Sequence, residues 1–288
     1  MRVDLWAGIQ YQGAAMTLPR APVILVFDSG LGGLTVFREV VKARPDARFV
    51  YAADDAAFPY GGLDEGALVA RVTAVMDRLV ALHAPDLVVV ACNTASTLVL
   101  PALRARFALP FVGTVPAIKP AVERSVTRRV AVLATPGTVK RDYTQALIDE
   151  FAGDCKVTLV GSTALAGLAE AQLRGEAVED AAIAAEIAPC FPDEGPPTDV
   201  VVLGCTHYPL LRTRMERLAP WPVAWIDPAP AIARRVTQLL GAPPPAHDGE
   251  EEAAALFTSG RAVTPELRRA LGAFGLARLH IEAMPLGA

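Results

Sequence analysis

Lysine is scarce: Lys42, Lys119, Lys140 and Lys156 are the only four among 27 cationic side chains. None has an evident catalytic setting, although Lys140 sits near the Thr135-Pro-Gly-Thr138 turn, so chemistry that runs through a Schiff-base lysine is disfavoured. Cysteine is also sparse. Four in 288 residues do not make a disulfide scaffold, and free thiols are expected. No two of them have the Cys-x2-4-Cys spacing of a structural zinc site. No apolar run approaches the roughly 20 residues that span a bilayer. The segment Met1 to Arg20 carries Asp4, Gln10 and Gln12 where a signal peptide needs an apolar centre. A cytoplasmic protein with no membrane partner is the expectation, with Met16 as an alternative start, since strand patterning begins only at Val23. Positive charge is not in excess either. A formal net charge of −4, a pI near 5.6 and scattered arginines give no footprint for nucleic acid.

What the chain has is apolar residues, 52% against 20% charged, enough for one large core or two of ordinary size and too much for a disordered chain. From Val23 onward, Val/Ile-rich runs alternate with longer amphipathic stretches, the pattern of repeated βα units on a mostly parallel sheet. Strands are expected near Val23–Phe27, Arg48–Ala52, Leu87–Ala91, Phe111–Gly113, Val130–Ala134, Lys156–Val160, Val200–Leu203 and Val223–Ile226. Helices fill the gaps, among them Glu65–Leu82, Thr94–Arg106, Val139–Phe151, Leu165–Arg174 and Pro209–Leu218. A weak internal echo runs through the pattern: a strand ends at Asp28 and another before Thr135, and each is followed 64 or 70 residues later by a strand that ends in cysteine. The expected fold is therefore α/β, with two similar lobes, each a mostly parallel sheet flanked by helices, and a site in the cleft between them. Residues 1–115 with 228–288 form the first lobe in this reading, and 116–227 the second. The proline-rich stretch from Gly241 reads as a surface loop. The segments through Leu256 and Leu279 read as a small edge unit, and His247 and His280 as ordinary surface residues.

The two cysteines that end strands, Cys92 in Leu87-Val-Val-Val-Ala-Cys-Asn-Thr and Cys205 in Val200-Val-Val-Leu-Gly-Cys-Thr-His, would sit at the carboxyl edge of a sheet, where open α/β folds bind ligands. Taken singly, a cysteine at a strand end is more often a small buried residue, and that reading stands for Cys155 and Cys190. Taken as a pair from two halves of the chain, they suggest a matched acid and base. A free thiol titrates near 8.5, and a helix N-terminus after each strand is expected to lower that value. The run Asp28-Ser29-Gly30-Leu31-Gly32-Gly33 lacks the spacing of a dinucleotide fingerprint or a phosphate loop; its amides and the Ser29 hydroxyl suit a small carboxylate. Asp54 and Asp55, followed by the turn cluster Phe58-Pro59-Tyr60-Gly61-Gly62, leave the same sheet edge. Alternatives stay open: a zinc site from Cys92, Cys205 and His207, a Cys205–His207 hydrolase that leaves Cys92 without a role, or a noncatalytic two-lobed amino-acid-binding protein.

Four motifs, Asp-Ser-Gly-x-Gly-Gly-Leu-Thr-Val at 28–36, Pro-Tyr-Gly at 59–61, Cys-Asn-Thr-Ala-Ser at 92–96 and Gly-Cys-Thr-His-Tyr-Pro-Leu-Leu at 204–211, resemble in order and spacing the signature set of the glutamate racemases, in the aspartate/glutamate racemase family. The resemblance runs from about Val23 to Val236 and implies interconversion of L- and D-glutamate without pyridoxal phosphate, other cofactor or metal, supplying D-glutamate for peptidoglycan. It further implies that Cys92 and Cys205 flank the α-carbon, that Asp28 and His207 assist proton transfer at their respective thiols, and that Ser29, Pro59, Tyr60, Gly61, Asn93, Thr94, Thr135, Thr138 and Thr206 hold substrate. Glu170 matches an acidic position near the second thiol. Ile226-Asp227-Pro228-Ala229 departs from the Asp-Ser-Gly of many relatives, outside the four motifs. Some relatives require a UDP-muramoyl-alanine activator, and Val115-Pro-Ala-Ile-Lys-Pro120 resembles that subgroup; a homodimer is a further implied partner. The same chemistry would serve a related racemase acting on aspartate.

Overall fold

Alternating apolar runs and amphipathic stretches fold into two separate parallel sheets in a computed structural model of the protein, which describes residues 20–241, 253–260 and 263–284. Met16, the proline-rich stretch after Gly241 and His247 lie outside the described residues. In chain order the elements are β1 (Val23–Asp28), α1 (Leu34–Ala43), β2 (Arg48–Ala53), α2 (Glu65–His83), β3 (Leu87–Val90), α3 (Asn93–Arg106), β4 (Phe111–Gly113), α4 (Ile118–Arg124), β5 (Arg129–Ala134), α5 (Pro136–Val139), α6 (Asp142–Phe151), β6 (Lys156–Gly161), α7 (Leu165–Leu173), α8 (Asp180–Ile187), β7 (Val200–Gly204), α9 (Arg212–Leu218), β8 (Ala224–Ile226), α10 (Ala229–Leu240), β9 (Ala254–Phe257), α11 (Pro265–Ala273) and β10 (Arg278–Ile281). The first sheet has the order β10-β9-β2-β1-β3-β4 and the second β6-β5-β7-β8. Over four strands the two orders are the same, which accounts for the echo in the sequence.

Both faces of each sheet are covered, and the side chains show why the strands read as continuous apolar runs. Ile24 and Val26 of β1 enter one core cluster, while Leu25 and Phe27 enter another on the opposite face, the twofold alternation of a strand. In the second sheet Ala131 and Leu133 face one cluster, and Val130, Val132 and Ala134 the other. All four residues of β3 are fully buried, each contributing roughly 1.5–3 kcal/mol relative to exposure. The terminal strands β9 and β10 extend the first sheet beyond β2, in keeping with an edge unit. No helix among the described residues is long and apolar enough to cross a membrane.

Two expected helices begin later than read. Val139 closes the short α5, which Thr135 caps with its hydroxyl accepting from the Thr138 amide, and the helix read as Val139–Phe151 starts at Asp142 as α6. Tyr208–Leu211 is a 3-10 turn leading into α9, with Pro209 at the entry position that tolerates a missing N–H.

Register aligns the chemistry at the carboxyl edges. Phe27 of β1 pairs with Val90 of β3, and Ala134 of β5 with Gly204 of β7, so Asp28 falls opposite Ala91, one residue before Cys92, and Thr135 opposite Cys205. Gly204 permits that second junction: a Cβ there would lie 2.8 Å from the Ala134 Cβ.

Candidate active site

Cys92 is the residue before α3, and its Asn93 and Thr94 neighbours open that helix. Cys205 and Thr206 follow β7, and His207 begins the 3-10 turn. The two thiols, supplied by different sheets, line one small cavity of about 20 Å³ together with Ser29, Pro59, Tyr60, Gly61, Asn93, Thr94, Thr135, Thr206 and His207. Eleven of the fourteen residues singled out from sequence thus border one space. Asp28, Thr138 and Glu170 stand behind it. Thr138 backs the wall, its hydroxyl 3.1 Å from that of Thr135 and 3.4 Å from that of Thr94. Phe58 and Ala166 also line the cavity and were not singled out, though Phe58 stands inside the turn cluster that drew notice. Its ring lies 5.4 Å from the His207 ring.

The glycine loop does not wait for an outside anion. Gly33 and Gly30 donate their amides to Asp28 Oδ2 at 2.9 and 3.3 Å, and Leu31 donates to Glu170 Oε1 at 2.6 Å. Carboxylates of the chain itself occupy the amides at the start of α1, so the expected carboxylate cradle is already filled. Gly32 is required by closeness: a Cβ there would come within 2.3 Å of His207 Nδ1. First-lobe backbone is thereby packed onto second-lobe side chains, and Thr35 Oγ1 adds a bond to the Thr206 carbonyl at 3.1 Å.

Each thiol has its own set of neighbours. Cys92 Sγ lies 3.8 Å from Ser29 Oγ, with Asp28 close enough to act on it electrostatically. Burial, and secondarily the Asp28 charge, push the Cys92 thiol well up. This reverses the expected lowering: a helix N-terminus favours a thiolate, but desolvation by the packed lobes outweighs it. Asp28 is itself raised, by burial working against His207 and the loop amides. At the other thiol, Cys205 Sγ is 3.8 Å from His207 Nδ1, and His207 Nε2 is 2.9 Å from Glu170 Oε1. Burial pulls His207 down, yet its bonds to Cys205 and Glu170 and the nearby Asp28 outweigh that, and the ring is held well above its ordinary value. Glu170 is correspondingly lowered: burial opposes its charge, and His207, Arg174 and the Leu31 amide overcome it. The two shifts run in the directions that favour a buried ion pair between His207 and Glu170.

Among the buried polar atoms without a protein partner are Asp28 Oδ1 and both Oδ1 and Nδ2 of Asn93, groups with hydrogen-bonding capacity to spare beside the cavity. Across the cleft mouth the lobes touch through Thr94 and Thr135, whose hydroxyls are 2.9 Å apart, and through an ion pair of Glu65 with Arg141. The cavity has room for about one water, so the mouth must widen before an amino acid can enter.

Comparison with known proteins gives concordant results. A family described as Asp/Glu/Hydantoin racemase matches residues 31–236. The chain is similar to a glutamate racemase of Sinorhizobium medicae (strain WSM419), 55% identical over 265 residues, 91% of this chain and 97% of the relative. It is 54% identical over 263 residues to the glutamate racemase of Brucella canis, covering 90% of this chain and 94% of that one. Among solved structures it resembles Escherichia coli glutamate racemase in complex with L-glutamate and activator UDP-MurNAc-Ala, with TM-score 0.83, 42% identity, and coverage of 92% of this chain and 99% of the other.

Proposed function

The chain belongs to the Asp/Glu/Hydantoin racemase family, and from that premise we propose that it interconverts L- and D-glutamate without a cofactor, with Cys92 and Cys205 as acid and base, and supplies D-glutamate for peptidoglycan. The observation that carries this reading is the pair of thiols from two lobes on one cavity. Enantiomers differ at one carbon, so a hydrogen leaves from one face and a proton returns on the other. Two like groups on opposite walls meet that need, one entering as thiolate and the other as thiol.

The first lobe, 1–115 with 228–288, brings Cys92, and the second, 116–227, brings Cys205. Asp28 Oδ1 receives the substrate ammonium, and Asn93, Thr94, Thr135 and Thr206 receive its carboxylates, with Ser29, Thr138 and the Pro59–Gly61 turn shaping the wall. A cation placed at Asp28 offsets the charge that holds the Cys92 proton on, so substrate arrival itself favours the thiolate. His207, held by Glu170, stands beside Cys205 to exchange a proton with it. The α-hydrogen then moves to sulfur on one side while the opposite thiol protonates the carbanion.

The test is incubation of purified protein, dialysed against chelator and without pyridoxal phosphate, with L-glutamate in D2O, following optical rotation and α-deuterium together. Full racemisation with one deuterium entering the α position is expected. Activity that returns only with added zinc, or turnover of aspartate in place of glutamate, would sink the reading.

The activator belongs in a second cavity of about 360 Å³, lined by Leu100, Arg104, Val115, Lys119, Tyr143 and Arg235 among others. What supports this is its place: α3 carries Cys92 at its start and Leu100 and Arg104 further along, so a ligand there bears on the same helix as the thiol. The Val115–Pro120 segment that crosses between the sheets forms part of its wall, and cationic side chains suit a diphosphate. Addition of UDP-MurNAc-Ala is expected to stimulate racemisation at least about fivefold, with the effect reduced in Lys119→Ala. An unchanged rate at saturating nucleotide would rule the activator out.

A further inference from the structure

Asp54 and Tyr60, part of the loop after β2, lead to a residue that no motif includes. The Asp54 carboxylate is fully buried, and it accepts four bonds: from Tyr60 Oη at 2.6 Å, Arg71 Nε at 2.9 Å, Arg71 Nη2 at 2.5 Å and Thr258 Oγ1 at 2.7 Å. Those four donors match the acceptor capacity of a carboxylate. Arg71, on α2 and nearly buried, presents the two-pronged fork that suits a carboxylate, and its Nη2 also donates to the Met284 carbonyl at 2.7 Å. Next door, Asp55 accepts from the Ser259 amide at 2.8 Å and the Ser259 hydroxyl at 2.5 Å.

Tyr60 lines the cavity, yet its hydroxyl is engaged by Asp54. What the residue offers the substrate is therefore its ring and the backbone of its turn. We propose that Arg71 is a positioning residue for the reaction: through Asp54 it fixes the Tyr60 hydroxyl and with it the Pro59–Gly61 wall of the cleft, and it ties that wall to the C-terminal segment at Thr258 and Met284. This rests on the reading of the cleft as a glutamate racemase site. Removing the guanidinium leaves a buried carboxylate without its counter-charge, which must take up a proton or draw in water. Either response weakens the hold on the Tyr60 hydroxyl, and a wall displaced by about 1 Å is enough to weaken a reaction about a hundredfold.

The test compares Arg71→Met, Arg71→Lys, Tyr60→Phe and the double variant Arg71→Met/Tyr60→Phe in the full chain, with KM and kcat for each enantiomer and a melting temperature. Arg71→Met is expected to raise KM about tenfold in both directions, with kcat falling less, and Arg71→Lys to recover only part, since lysine has no fork. Because both act through one bond, the double variant should be no worse than the poorer single one, whereas independent structural damage would multiply. Thr258→Val, which removes one donor from Asp54, is expected to raise KM by a smaller factor and serves if Arg71→Met does not fold. Unchanged KM in Tyr60→Phe and Thr258→Val, or multiplying effects in the double variant, overturns the proposal. A wild-type protein that fails to racemise glutamate overturns instead the reading on which it rests.

Discussion

Cys92→Ala and Cys205→Ala each yield a folded protein whose racemisation of glutamate falls by about 10³ or more. A positioned acid or base contributes roughly 10²–10⁴ in rate, and inversion needs both thiols in every turnover, so either loss removes a step that nothing else in the cavity replaces. The fold should survive, because both side chains border the cavity, and trimming them leaves no void walled in on every side. The two variants are not equivalent in what remains. With one thiol intact, an enantiomer presenting its α-hydrogen to that thiol can still exchange it with solvent and recover it on the same face. Each variant is thus expected to exchange deuterium slowly into one enantiomer only, and the two variants into opposite ones. Proton NMR of each pure enantiomer in D2O reads this directly; near-normal turnover in both directions by either variant would end the two-thiol mechanism.

The second large effect divides Asp28 from His207. Asp28→Asn removes a carboxylate beside Cys92, and His207→Asn removes the group 3.8 Å from Cys205, so each is expected to slow abstraction by about 10² for a different enantiomer. His207 is held above its ordinary value by Cys205 and Glu170 against burial, so the positive ring persists to higher pH than in a free imidazole. Its contribution should therefore be full at low pH and fade as pH rises through the elevated value. The equilibrium cannot move, since mirror-image substrates have equal free energies; kcat/KM stays equal in the two directions, and any bias in kcat is matched in KM. Early deuterium exchange from each enantiomer shows which abstraction is slowed. Equal losses from both enantiomers in both variants would leave these residues as general substrate holders.

Local pattern was enough to read strand ends such as Asp28, Cys92 and Cys205, because period and β-branched composition are properties of short segments. The four motifs hold ten of the eleven cavity residues, and the family resemblance they carry added Thr135. What stayed hidden depends on how the lobes meet. The rise of the Cys92 thiol follows from desolvation across the interface, not from its own helix. The loop amides at Gly30, Leu31 and Gly33 looked free for a ligand until Asp28 and Glu170, the latter 139 residues away from Leu31, were found on them. Tyr60 was legible as a wall residue, but the Asp54–Arg71 fork behind it joins α2 to Met284 over 213 residues, and no local spacing signals such a bond. The later start of α6 escaped for a smaller reason: Val139 continues the helical periodicity although it closes the short helix that Thr135 caps.

A polypeptide of L residues is itself chiral, so no single surface of it can regard left- and right-handed ligands alike. The shared four-strand order of the two sheets lessens that partiality, since corresponding strands β3 and β7 each deliver a sulfur to one cavity. Where the copies diverge, the partiality returns: β1 ends in Asp28, its counterpart β5 is followed by Thr135, and only the second lobe carries the Glu170–His207 pair. Ambidexterity in this fold is a property of the repeat, and the handedness of the chain survives in the company each sulfur keeps.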